Sequence, residues 1–150
     1  MYKKILVGVD ESEDSMDAVK KALEYTKSNN CKVIAFHSVI HHLNQFIPNF
    51  SLSRPNSIIS YEIHEDYINN GKKILEDVEN LFIKEGQKVE TRLIFDILPE
   101  DYIKKITKEE NIELVILGCK GKHSKLKRTF IGTIPDKVSN DVGSDVLLVR

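Results

Sequence analysis

Leu114-Val-Ile-Leu-Gly-Cys-Lys-Gly121 is a short apolar run that breaks directly into a glycine-bracketed loop, and after ten further residues Gly132-Thr133 opens a helix-like segment toward Val138. The run reads as a strand. A glycine at its end lets backbone N–H groups face a ligand. Lys120, Lys122, Lys125, Lys127 and Arg128 lie between the glycines, so the connection is cationic. Amide donors, a helix N-terminus and positive charge together suit a polyphosphate. A βα loop rich in glycine and lysine is also an ordinary solvated turn, and spacing alone leaves both readings open. The loop is neither a Walker A motif nor the G-x-G-x-x-G dinucleotide fingerprint.

Outward from that run, apolar strands alternate with helical periodicity. Ile5 to Val9 reads as a buried strand. Met16, Val19, Leu23 and Thr26 mark one helix face, with Ser12 as N-cap and Glu13 and Asp14 at the positive end. Val33 to Val39 is a second strand, and Ile68, Leu75, Val78 and Phe82 stripe a long helix ending near Gly86. Val89 to Phe95 alternates apolar residues with Glu90 and Arg92, which predicts a strand with one less buried face, at a sheet edge. Pro99 occupies a first helical position, with Tyr102, Ile103 and Ile106 facing inward. A short helix over Pro135 to Asp141 and a strand over Val146 to Val149 follow. Five strands alternating with four helices, on connections long enough for crossovers, predict an α/β class: a five-stranded parallel sheet, doubly wound.

The 150 residues are expected to form a single domain, 1–150, with one irregular loop at 41–60 that carries Pro48 and Pro55. The aromatics Phe46, Phe50 and Tyr61 there suit a lid or partner patch, and a mobile surface loop suits the same composition. A hydrophobic fraction of 41%, 30% charged residues and a net charge of −1 give no global drive toward nucleic acid or membrane. No apolar span approaches the roughly 20 residues of a membrane helix and no h-region precedes the first strand, so the chain reads as cytoplasmic. Cys31 and Cys119 are too few for a disulfide framework or zinc site. His37, His41, His42 and His64 form no ligand pattern, and His37, within an apolar strand, reads as a satisfied core histidine.

Three stretches in order, Lys4-Ile-Leu-Val-Gly-Val-Asp10-Glu-Ser-Glu, Glu113 through Gly121, and Gly132-Thr133 through Val149, resemble the universal stress protein family. The resemblance implies an adenine-nucleotide alpha-hydrolase-like sheet of order 3-2-1-4-5, with a crevice where Asp10 and Gly118 end their strands. The family's ATP-binding branch carries G-x2-G-x9-G-[ST], and Gly118, Gly121, Gly132 and Thr133 occupy its fixed positions. By that likeness Val9 and Asp10 sit at the adenosine end, and the backbone around Ser38 hydrogen-bonds the adenine edge. Gly118, Gly121, Gly132 and Thr133 hold ribose and phosphates, Leu117 and Ile134 line the pocket, and Mg²⁺ or Mn²⁺ accompanies the triphosphate.

The chain departs from the pattern in places. Ten residues rather than nine separate Gly121 from Gly132, so one bulges out, most easily near Ser124. Ile97 stands where relatives carry a structural glycine, and Asp145 near a common proline. The expectation is a cytoplasmic ATP-binding stress-response regulator, at most a slow ATPase, with an unknown protein partner. It acts as a homodimer, which the resemblance implies is joined by antiparallel pairing of the Val146–Val149 strands. The competing readings are a nucleotide-free family member working as an interaction module, a nucleotidyl-transfer or ATP-hydrolysing enzyme, and a flavodoxin-like carrier. Both enzyme and carrier loops follow the first strand, where this chain has the acidic stretch Asp10 to Asp14. Such a stretch disfavours the FMN phosphate.

Overall fold

Ile5, Leu6 and Val7 have no exposed surface, because β1 (Lys4–Gly8) runs through the middle of the sheet with helices on both sides. The computed structural model describes residues 1–40, 57–119 and 133–150; for residues 57–63 and for Thr133 it describes the backbone. Within them lie β1, α1 (Glu13–Ser28), β2 (Lys32–Val39), α2 (Ser57–Lys84), β3 (Glu90–Phe95), α3 (Pro99–Glu109), β4 (Leu114–Gly118), α4 (Thr133–Asp141) and β5 (Asp145–Val149). The strands form one parallel sheet of order β3-β2-β1-β4-β5. This is the doubly wound α/β arrangement expected from the sequence, with β3 at one edge and β5 at the other.

Strand residues alternate between two cores. Ile5, Val7, Val33 and Ala35 join Val19, Ala22, Val78 and Phe82 on the α1–α2 side. Leu6, Ile34, Phe36 and Val115 join Ile103, Ile106 and Val138 on the α3–α4 side. A period of two with both faces covered explains why the central strands read as unbroken apolar runs.

The helix ends follow local chemistry. Ser12 caps α1, its hydroxyl accepting from the Ser15 N–H at 3.2 Å. After α2, Gly86 takes φ +67°, with Gly86 N–H donating to the Ile83 carbonyl and Gln87 N–H to that of Phe82. That is a Schellman closure, for which glycine suffers no Cβ clash. Pro99 opens α3 as expected, burying Tyr102, Ile103 and Ile106.

Three expectations need correction or fall away. The irregular stretch does not extend to Ser60, because α2 already begins at Ser57; residues 41–56, with Phe46 and Phe50, lie outside the described residues. β1 ends at Gly8 rather than Val9. Ile97 needs no glycine: among the described residues other than glycine, the left-handed conformation falls on Asp96 and Asn111, and Ile97 packs against the α3–α4 core.

Candidate functional site

Two neighbours of β1 leave it in opposite directions: β2 continues toward β3, and β4 toward β5. The connections therefore part at the carboxyl ends of β1 and β4, where open α/β sheets bind ligands. A cleft of about 130 Å³ opens there. Val9, Asp10, Ser38, Leu117, Gly118 and Ile134, named above from the sequence, all line it. Thr133 begins α4, whose first turn presents Ile134 and Pro135 to the same cleft. Gly121 and Gly132 lie outside the described residues, as do the loop lysines and Arg128.

The floor is apolar, from Phe36, Ile103, Leu117 and the two prolines Pro99 and Pro135. One rim is polar and tightly held. The Asp10 carboxylate accepts from the Ser12 N–H at 2.9 Å and from the Ser12 hydroxyl. Ser15, 3% exposed, takes the Asp10 N–H on its hydroxyl oxygen at 2.8 Å and donates back to the Asp10 carbonyl at 3.1 Å. Asp10 is thus fixed at the mouth by the α1 cap. Across from it, the Ser38 hydroxyl donates to the Ile97 carbonyl, closing the gap between the β2 end and the turn into α3.

Glycines fit the elements together around the cleft. A Cβ on Gly118 would lie 2.6 Å from the Ser15 nitrogen, so β4 can end against the first turn of α1 only with glycine there. On Gly8 it would meet Leu117 at 2.8 Å, and on Gly71 of α2 it would meet Leu93 and His37 below 3.0 Å. Gly8, Gly71 and the Ser15 bonds were not singled out from the sequence. The Gly71 position inside a helical stripe, where glycine is costly, was the available signal. His37 donates Nδ1–H to the Val9 carbonyl at 2.7 Å and is satisfied as expected, but it is half-buried and lines the cleft instead of lying in the core. Cys31 and Cys119 are both buried, unpaired thiols, and burial raises the Cys31 pKa. Among the described residues no group of three His, Cys, Asp or Glu side chains could hold a metal ion, and no helix is long and apolar enough to cross a membrane.

Against known proteins, the family model described as the universal stress protein family matches residues 1–150. The universal stress protein MJ0577 of Methanocaldococcus jannaschii is 28% identical over 166 aligned residues, covering 100% of this chain and 96% of that protein. Its solved structure matches with a TM-score of 0.81 at 25% identity, over 99% of this chain and 96% of that one. Universal stress protein UspA from Lactobacillus plantarum gives a TM-score of 0.81 at 20% identity, over 99% and 98% of the two chains. The Archaeoglobus fulgidus universal stress protein in complex with dAMP gives 0.68 at 18% identity, over 99% and 98%.

Proposed function

Because this chain belongs to the universal stress protein family, we propose that it is a cytoplasmic ATP-binding regulatory protein acting as a homodimer through β5. The observation that carries the reading is the switch-point cleft, where Asp10, Ser38, Leu117, Gly118 and Ile134 converge from the loop after β1 and from β2, β4 and α4. Its apolar floor and polar rim suit a purine with its ribose. The dAMP bound by the Archaeoglobus fulgidus protein supports an adenine nucleotide as the ligand class. Gly121, Gly132, Thr133 and the lysines between them would take the phosphates, as amide donors and cations do at a helix N-terminus. The Mg²⁺ or Mn²⁺ enters with the triphosphate.

The chain is read as a binding protein with at most slow hydrolysis, because Asp10, the acidic group at the mouth, is held by the α1 cap at the end assigned to adenosine. The ten-residue spacing between Gly121 and Gly132 favours one competitor, a family member that binds no nucleotide and works through its surfaces. Thermal melting separates the two. ATP with Mg²⁺ at about 100 times its dissociation constant adds roughly 2.7 kcal/mol to the folded state and raises Tm. No shift at millimolar ATP, and no adenine nucleotide in the mass spectrum of the purified protein, would establish the nucleotide-free reading. Gly121→Val is expected to abolish the shift with the fold intact.

A further inference from the structure

β2 outlasts its partner. Its pairing with β3 runs on to Val39↔Phe95, whereas its pairing with β1 stops at Gly8↔Phe36, followed by one more bond from Val9 N–H to the Phe36 carbonyl at 2.9 Å. In a parallel ladder, the N–H and C=O of one residue face the same neighbouring strand, and successive residues alternate. Phe36 faces β1, so His37 faces β3 and Ser38 faces β1 again. The next rung would be Ser38 N–H to the Val9 carbonyl. The His37 imidazole stands on that carbonyl, its Nδ1 2.7 Å from the oxygen. A carbonyl only accepts, so Nδ1 carries the proton.

The ring is clamped from below as well. Gly71 of α2 approaches so closely that a Cβ there would be 2.9 Å from His37 Cδ2. The neighbouring Asn70 amide donates to the Glu11 carboxylate, tying α2 to the loop that carries Asp10. The imidazole is therefore a fixed wedge between two strand ends, one leading to Asp10 and the other to Ser38, both of which line the cleft.

We infer that His37 is a positioning residue of this cleft: by taking the Val9 carbonyl in place of the Ser38 amide, it ends the β1–β2 ladder one rung early and turns the Ser38 N–H toward the ligand, where it selects a purine edge that presents a ring acceptor. This rests on the nucleotide reading above. Adenine offers an unprotonated N1 beside its amino group, whereas guanine carries N1–H, a donor that would meet the Ser38 donor. The wedge thus gives preference for adenine over guanine nucleotides without a side chain of its own on the base.

The test uses the full chain stripped of nucleotide. Amide hydrogen exchange at Ser38 is expected to be fast in the free wild type and slowed by ATP. His37→Phe keeps a ring and loses the donor, so the Ser38 amide returns to the ladder and slows without ligand, and the ATP-over-GTP preference falls about fivefold, the worth of one net hydrogen bond. His37→Asn, whose Nδ2 can stand where Nδ1 stood, is expected to restore both. A Ser38 amide already protected in the free wild type overturns the inference, as does an unchanged ATP-over-GTP preference in a folded His37→Phe protein. A wild type that binds neither nucleotide while Ser38 exchanges fast overturns the nucleotide reading and the selective role built on it, and leaves the wedge geometry supported.

Discussion

Gly118 abuts the backbone of Ser15 so closely that a Cβ on the glycine would stand 2.6 Å from the Ser15 nitrogen and 2.7 Å from the carbonyl carbon of Asp14. Both neighbours are main chain in the capped first turn of α1, which cannot swing aside as a side-chain tip can. Gly118→Ala is therefore expected to destabilise the fold by about 2 kcal/mol, within the range for overpacking. Gly143→Ala, with nothing within 4 Å of its built Cβ, is expected to stay within about 0.5 kcal/mol. Urea midpoints of the two variants check this. Equal stability with lost ATP binding would mean that Gly118 serves the ligand and not the packing.

Ser15→Ala should separate cap chemistry from packing. The Ser15 hydroxyl both accepts from the Asp10 N–H and donates to the Asp10 carbonyl, so the variant removes one hydrogen bond from each of two main-chain groups near the cleft. The expected cost is about 1–3 kcal/mol, together with weaker ATP binding because Asp10 loses its anchor. Denaturation and nucleotide titration on the same sample read the two effects. Undiminished affinity would show that Asp10 is held in place without Ser15.

Much of this fold was legible because its signals are local. Ser12 with Glu13 and Asp14, Gly86 after Phe82, and Pro99 before Tyr102 each mark a helix end through chemistry within a few residues. Ser57 as the start of α2 was not legible: Ile58 and Ile59 are β-branched and Ser57 and Ser60 favour turns, so propensity pointed to loop. The cleft residues came from the resemblance. What supports them did not, because Gly8 against Leu117, Gly71 against His37 and His37 against Val9 are contacts between elements far apart in the chain.

Acid should weaken the β3 edge. The Arg92 guanidinium grips Glu110 with two bonds, 2.6 and 3.1 Å, and also reaches Glu90. Arg92 holds the Glu110 carboxyl below the usual glutamate range, and Lys32, then Arg92, does the same for Glu90. Carboxyls that titrate lower folded than unfolded stabilise fully above the unfolded value, and that contribution is lost as pH falls through the folded values. Wild-type stability is expected to drop below about pH 5, and Glu110→Gln to have a shallower acid limb with lower stability at neutral pH. Parallel limbs in Tm against pH would assign the acid sensitivity elsewhere.

The proposed dimer can be probed through the backbone of β5. Cys119 N–H donates to the Val149 carbonyl and Asp145 N–H to that of Glu113, so residues 145, 147 and 149 face β4. By alternation the N–H groups of Val146 and Leu148 point away from the sheet, into the position where a second β5 would pair. The side chains offer no such handle: Val146 and Leu148 pack on the α3–α4 core and Leu147 and Val149 on the α1–α2 core, so a charge at any of them would injure the protomer itself. Proline at an outward position removes one N–H from the edge and none from the β4 ladder. Light scattering of the wild type is expected to give twice the chain mass of 17.2 kDa, and Val146→Pro to give a folded monomer. Leu147→Pro, which breaks a bond to β4, is expected to lower Tm instead. A wild type that stays monomeric at micromolar concentration, or a Val146→Pro protein that remains dimeric, would remove β5 pairing as the mode of assembly.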